Sequence, residues 1–205
     1  MASSNQGKIT EVRRLLGQLG MQILTMADAG VDPNVELVED GDTFEHNAFS
    51  KTSTLLSLVP SDYWCLGDDS GLSVDALHGA PGVRSARWAG MNIQGPERDR
   101  ANLKKLLDDM RHVPEKNRTA RFVCHMVLLG PEGQQIQSRG TCEGRILFEP
   151  RGKSGFGYDP IFLPEGFEQT MAELDLDEKN SISHRGRALA GLVEKMRGLG
   201  LGSST

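Results

Sequence analysis

Apolar residues recur at helical spacing in four stretches of the chain and run or alternate in strand fashion between them. Ile9, Val12, Leu15, Leu16 and Leu19 mark one face of a first helix, capped by Ser4 or Asn5 and ended by Gly20. Met21 to Thr25 reads as a short strand. Asp42-Thr43-Phe44-Glu45 opens a second helix, with Phe44, Ala48, Leu55 and Leu56 on its buried face. An apolar run from Tyr63 to Leu66 reads as another strand. Pro96 starts a third helix with Leu103, Leu106, Leu107 and Met110 inward, and Pro114 stops it. Thr119 to Leu129 and Gln135 to Phe148 alternate about Gly130-Pro131-Glu132-Gly133, so they form a long hairpin. A last helix follows Ser183, with Leu189, Leu192, Val193, Met196 and Leu199 buried, and 198–205 is expected as a flexible tail. Helices interleaved with strands predict an α/β fold.

The strand from Tyr63 runs into Gly67-Asp68-Asp69-Ser70-Gly71, where the pattern expects it to stop at two carboxylates and a serine while Gly71 releases the backbone. Ligands bind where strands end in α/β sheets. Consecutive strand residues point to opposite faces, so Asp68 and Asp69 have different tasks, one facing a cleft and the other bracing the backbone. Gly79-Ala80-Pro81-Gly82 fixes a tight turn beyond, and Arg87 returns a positive charge toward the acids. The same spacing fits an acidic surface turn equally well.

Composition narrows the options. A chain of 205 residues makes one large domain or two closely packed lobes. Its net charge of −5 argues against a general nucleic-acid or membrane-surface binder, so a polyanionic ligand needs local lysines and a divalent cation. Cys65, Cys124 and Cys142 have no C-x-x-C spacing and read as core thiols of a reducing, cytoplasmic compartment. Neither a signal peptide nor an apolar run long enough to cross a bilayer is seen.

Four further stretches carry candidate chemistry. The N-terminus of the first helix, with Lys8 in its opening turn, offers an anion site or simply a capped helix with a solvated lysine. Asn47 and Lys51 share a helix face. In Ser154-Gly155-Phe156-Gly157-Tyr158-Asp159-Pro160, two glycines flank an aromatic, which suits stacking on a planar ring or a glycine-rich hairpin with Phe156 in the core. His184 and Arg185 open the last helix, where cations oppose the helix dipole by a few tenths to ~1 kcal/mol, which suggests that they are used.

Taken together, Ser3-Ser4-Asn5-Gln6-Gly7-Lys8, Thr43-Phe44 with Asn47-Ala48, Asp68-Asp69-Ser70-Gly71-Leu72, Gly79-Ala80-Pro81-Gly82 with Ser85-Ala86-Arg87, Gly155-Phe156-Gly157-Tyr158-Asp159-Pro160-Ile161-Phe162 and Ser183-His184-Arg185-Gly186 resemble the inosine triphosphate pyrophosphatase family. The resemblance runs in order from residue 3 to about residue 197. It implies a long, mixed, twisted sheet flanked by helices, two lobes about a central cleft (residues 1–197 as one domain), and a homodimer. It implies magnesium-dependent hydrolysis of inosine, deoxyinosine and xanthosine triphosphates to monophosphate and pyrophosphate, with no nucleic-acid or membrane partner.

Carried over residue by residue, Ser3, Ser4, Asn5, Gln6, Gly7 and Lys8 hold the triphosphate and Lys51 adds charge. Glu39 and Asp69 resemble the magnesium ligands, Asp69 also matching the general base, while Asp68 supports. Ser70 touches substrate near the reacting centre. Phe156 stacks on the base, Gly157, Tyr158 and Asp159 shape its pocket, and Lys179, His184 and Arg185 read its edge. The family also places a full apolar strand before the phosphate loop. Here Met1, Ala2 and Ser3 precede it, so an incomplete strand beside a gap is expected.

Overall fold

Each long helix forms where its apolar stripe predicts. In the computed structural model, which describes residues 1–17, 21–32, 35–90 and 95–201, α1 spans Gln6–Gly17 and buries Ile9, Val12 and Leu16. Asn5 caps it: its Oδ1 accepts from the Lys8 amide at 3.2 Å, and its own amide donates to Ser3 Oγ at 3.2 Å. Leu19 and Gly20 lie outside the described residues. Helix α2 spans Phe44–Leu56, with the Thr43 side chain accepting from the His46 amide. Strand β1 is Cys65–Val74, α3 is Gly95–Asp109, β2 is Thr119–Leu129 and β3 is Gln135–Ile146. Then come β4 (Phe162–Pro164), α4 (Leu176–Ile182) and α5 (His184–Gly198).

The sheet runs in the order β1-β2-β3-β4. β3 pairs with β4 antiparallel, Gly144 opposite Pro164 and Ile146 opposite Phe162, while Ala2 makes a parallel bridge to Gly67. The parallel contact is an isolated bridge outside the pairing of the four named strands. The chain divides into two compact units. The first comprises Met1–Asp69, Cys124–Gly140 and His184–Thr205, and the second Ser70–Val123 and Thr141–Ser183.

Inside the first unit, α1 and α5 contribute Ile9, Val12, Leu16, Leu189 and Leu192 to one cluster with Leu66, Cys124 and Met126, while Ala2, Met26, Leu55 and Cys65 form another. The second unit has its own core of Leu72, Val74, Leu106, Met110, Phe122, Ile146, Ile161 and Phe162. The cysteines are buried free thiols.

Several expectations need correction. β1 does not stop at the acids but continues through Ser70 to Val74. Gly71 serves close approach rather than release: a Cβ there would lie 2.4 Å from Ser85 Oγ and 2.5 Å from the Gly82 carbonyl oxygen. Ser85 Oγ instead accepts from the Leu72 amide at 2.9 Å. Met21–Thr25 forms no strand, because a strand exists only with a laddered partner, and the bond that Leu24 accepts comes from the terminal ammonium of Met1. β3 ends at Ile146, short of Phe148. Leu199 is 63% exposed rather than buried, lying past the end of α5, where Leu201 folds back by bonding its amide to the Met196 carbonyl. Residues 202–205 lie outside the described residues.

Candidate active site

Two neighbouring residues of β1 carry acidic groups to opposite sides of one unit. The strand lies hard against α2 because residue 67 is glycine: a Cβ there would come within 2.0 Å of Thr52 Oγ1 and 3.1 Å of the Ala48 carbonyl oxygen. Asp69 turns toward α2, where Asn47 Nδ2 donates to its Oδ2 at 3.1 Å and Lys51 Nζ to its Oδ1 at 3.4 Å. Lys51 is also bonded to Glu39, from the loop ahead of α2. Asn47 anchors that loop by accepting from the Gly41 amide at 2.8 Å. Asn47 and Lys51, one turn apart, thus present the acid-facing side of α2.

Asp68 points the other way. Lys8 Nζ from α1 stands 3.4 Å from its Oδ2, and Arg185 Nε from α5 donates to the same oxygen at 3.2 Å. The second arm of the Arg185 guanidinium is bonded to Glu11 of α1. Asp68 and Arg185 are each only 1% exposed.

These surroundings pull the two carboxyls apart. Burial alone would raise the pKa of Asp68, but Lys8, Arg185 and Lys51 overcome it and hold this carboxyl well below the usual range. Burial dominates at Asp69 and raises its pKa, the nearby cations offsetting only part. Lys51 loses by burial and gains more from Asp69, Glu39 and Asp68, so its ammonium holds its proton more tightly. Asp68 is a fixed anion that positions Lys8 and Arg185, and Asp69 is the more basic member of the pair.

The phosphate-side residues share this unit. Ser3, Gly7 and Lys8 are half-buried and Ser4 and Gln6 exposed at the start of α1, where backbone N–H groups suit an anion. Ser70, next on β1 after Asp69, is half-buried and belongs to the second unit.

The base-side candidates of the second unit form a cluster of their own. Asp159 Oδ2 accepts from the Phe156 amide at 2.9 Å and from Lys179 Nζ at 2.8 Å. The same ammonium lies 5.1 Å from the centre of the half-buried Phe156 ring. Gly157 N donates to Asp99 Oδ2 at 3.0 Å. Tyr158 is a core residue whose hydroxyl donates to the Ser85 carbonyl at 2.9 Å, and burial raises its pKa. It shapes this loop from beneath. Lys179 rides on α4, capped by the Asp175 side chain accepting from the Glu178 amide at 2.8 Å.

His184 and Arg185 belong to the first unit, both buried. The resemblance casts Arg185 as a reader of the base, yet its guanidinium is engaged by Asp68 and Glu11. Sequence reasoning missed Glu11 as its partner. The available signal was that Glu11 lies three residues beyond Lys8, on the same side of α1.

Among the described residues no group of three or more His, Cys, Asp or Glu is placed to hold a metal ion. Glu39 and Asp69 do converge on one cation, the Lys51 ammonium. Two carboxylates without a full cage fit magnesium, which binds through one or two carboxylates plus phosphate oxygens and keeps several waters.

The profile of the Ham1 family matches residues 1–195. A dITP/XTP pyrophosphatase of Clostridium perfringens is 42% identical over 203 residues, covering 97% of each chain. One from Desulforamulus reducens is 46% identical over 194 residues, covering 95% of this chain and 92% of its own. Among solved structures, the Ham1 protein of Staphylococcus aureus superposes with a TM-score of 0.81 at 36% identity, covering 97% of both chains. A HAM1 protein from Coxiella burnetii gives 0.81 at 37% identity, covering 96% of both.

Proposed function

The chain belongs to the Ham1 family, and we propose that it hydrolyses dITP, XTP and ITP to the monophosphate and pyrophosphate, clearing non-standard purines from the nucleotide pool. The observation that carries this reading is the Asp69–Lys51–Glu39 array beside a second carboxylate, Asp68, that is locked to Lys8 and Arg185. Three cations face four acids there, Lys8, Lys51 and Arg185 against Glu11, Glu39, Asp68 and Asp69. Such a cluster of closely spaced acids and cations suits an added divalent cation with a polyanion.

In this proposal Ser3 to Lys8 hold phosphate oxygens at the α1 N-terminus and Lys51 adds a second ammonium. Asp69 takes the proton of the water that attacks the α-phosphorus as pyrophosphate leaves. Glu39 and Asp69 would hold magnesium, which would offset phosphate charge there. Asp68 keeps Lys8 in place, and Arg185 enters as its brace. Phe156 supplies the stacking ring. Lys179 only donates, which favours a 6-oxo purine over adenine.

We carry the homodimer and a cytoplasmic setting as part of the same proposal, supported by the family resemblance and the buried free thiols. No helix among the described residues is long and apolar enough to cross a membrane. Sedimentation of the purified chain tests the dimer. The activity is tested by incubating dITP, XTP, ITP, ATP and GTP with magnesium and resolving the products. Monophosphate and pyrophosphate in equal amounts from the first three are expected; diphosphate plus inorganic phosphate overturns the proposed bond cleavage.

A further inference from the structure

Asp99 lies outside the motifs of the chain, yet its side chain reaches the loop that carries Phe156. Its Oδ2 accepts from the Gly157 amide at 3.0 Å, and its Oδ1 lies 3.9 Å from Arg98 Nε. One residue earlier, the Phe156 amide donates to Asp159 Oδ2 at 2.9 Å. Two consecutive amides are thus each held by a carboxylate, and hydrogen bonds to a charged acceptor are the stronger kind. The loop needs such holding. Gly155 and Gly157 stand at φ +76° and +61°, and a glycine backbone moves to other conformations at little cost.

The two carboxylates differ in what they tie the loop to. Asp159 belongs to the loop itself, and its own amide returns a bond to the Phe156 carbonyl at 3.2 Å. Asp99 belongs to α3, which is anchored in the core of the second unit by Leu106. Three residues on, on the same side of α3, Asn102 Oδ1 accepts from the Ala89 amide at 2.7 Å, and its Nδ2 donates to the Ala86 carbonyl at 3.0 Å. Tyr158, next to Gly157, donates to the Ser85 carbonyl at 2.9 Å. Helix, 85–89 segment and base loop therefore brace one another. Asp99 itself is half-buried, so its substitution leaves the core intact.

We propose, on the activity inferred above, that Asp99 is a positioning residue for base selection: it holds Gly157 to α3 and so fixes the plane of the Phe156 ring before a purine stacks on it. The same hold keeps that ring beside the Lys179 ammonium, 5.1 Å from its centre. A ring already fixed needs little ordering when the base arrives. The bond is therefore felt in affinity for the base, while the rate at the α-phosphorus is untouched.

The test measures dITP turnover by the full chain and by Asp99→Ala and Asp99→Asn, with deoxyinosine monophosphate and inorganic tripolyphosphate as competitors. Amide hydrogen exchange is followed in the peptide that contains Phe156 and Gly157. In Asp99→Ala, KM for dITP should rise about tenfold with kcat unchanged, and the monophosphate should compete about tenfold less well. Tripolyphosphate, which has no base, should compete as before, and the loop amides should exchange faster. Asp99→Asn keeps an oxygen acceptor in place and should recover most of each effect. Equal weakening of both competitors would make Asp99 a general support of the fold and overturn the proposal. So would an unchanged KM, a fall in kcat alone, unaltered exchange, or an Asn variant no better than the Ala variant. An unaltered chain without activity on dITP would overturn the proposed activity and this inference with it, whereas an active chain indifferent to Asp99 would overturn the inference alone.

Discussion

The acid cluster of the first unit and the Lys179 cluster of the second solve different problems with the same kinds of side chain. Around Asp68 and Asp69, charged groups of the described residues from α1, α2, α5, β1 and one loop are locked into one network. Around Phe156, the ion pair between Lys179 and Asp159 holds a loop and sets a cation near an aromatic face. Fixed charge of that density suits a ligand that brings opposing charges of both signs. A neutralised pair beside a ring suits a flat, uncharged group. The difference predicts that substitutions in the first cluster change rate or stability steeply, while those in the second change affinity.

The largest expected effect separates the two aspartates. Asp69→Asn keeps the shape but removes the basic group, so turnover of dITP should fall by about 10²–10⁴-fold with Tm nearly unchanged. Asp68→Asn leaves the Arg185 charge facing Glu11 with its second anion gone, and breaking a buried pair of this kind costs roughly 3–5 kcal/mol. That loss is read as a lower denaturation midpoint. If Asp68→Asn keeps its stability and loses turnover while Asp69→Asn does the reverse, the roles are exchanged. Arg185→Ala belongs with Asp68: it should lower the rates on dITP, ATP and GTP together. A selective gain on ATP would make it a reader of the base.

Next comes the second cluster. Phe156→Ala removes a stacking surface worth ~1–3 kcal/mol per base, so KM for dITP should rise by about 5–150-fold while kcat holds. A fall in kcat with KM unchanged would mean that this ring serves the reacting centre and that the contrast between the clusters fails.

Gly67→Ala tests what holds the first cluster together. The added methyl meets Thr52 Oγ1 and the Ala48 carbonyl, and overpacking of this kind costs typically ~1–3 kcal/mol. It should also loosen the reach from Lys51 and Asn47 to Asp69, lowering both Tm and turnover. Pairing it with Thr52→Ala, which removes the clashing oxygen, should recover part of each.

How far all this was legible in the sequence depends on where the energy came from. Helices α1, α2 and α5 follow from apolar spacing, because burial of one stripe is what stabilises them. The continuation of β1 was hidden: Asp-Asp-Ser-Gly reads as a strand end unless Lys8, Lys51, Asn47 and Arg185, scattered over the chain, arrive to compensate the acids. Helix α4 was missed because seven residues show little periodicity, although Asp175 followed by Glu178 offered a cap signal. Met21–Thr25 has the composition of a strand, but composition says nothing of whether a partner backbone is present. Phe156 and Asp159 are neighbours in motif and in space, and Lys179 reaches Asp159 from another element, α4. Arg185 is a motif residue whose partners, Asp68 and Glu11, lie far from it in the chain, so only the fold reveals its engagement.

The smallest effect isolates a buried charge outside the acid cluster. The Met1 ammonium is sunk beside the Leu24 carbonyl, with Cys65, Arg13 and Asp28 as the titratable and charged groups acting on it. Burial is the largest influence and lowers its pKa below the ordinary 8.0. Between the folded and unfolded values, the unfolded chain then binds more protons than the native one, so stability increases as pH rises toward 8 and levels off above it. At ~2–4 °C per kcal/mol for a chain of this size, the expected rise in Tm is small, and an Nα-acetylated chain should lack it. Tm measured in steps from about pH 6 to 9 in both forms decides the matter, using the window set by the ordinary α-amino pKa. A rise of equal size in the acetylated chain would assign the slope to other groups. A fall over that window, absent after acetylation, would mean that the ammonium gains more from its neighbours than burial takes away, which is the balance that Lys51 strikes in the acid cluster.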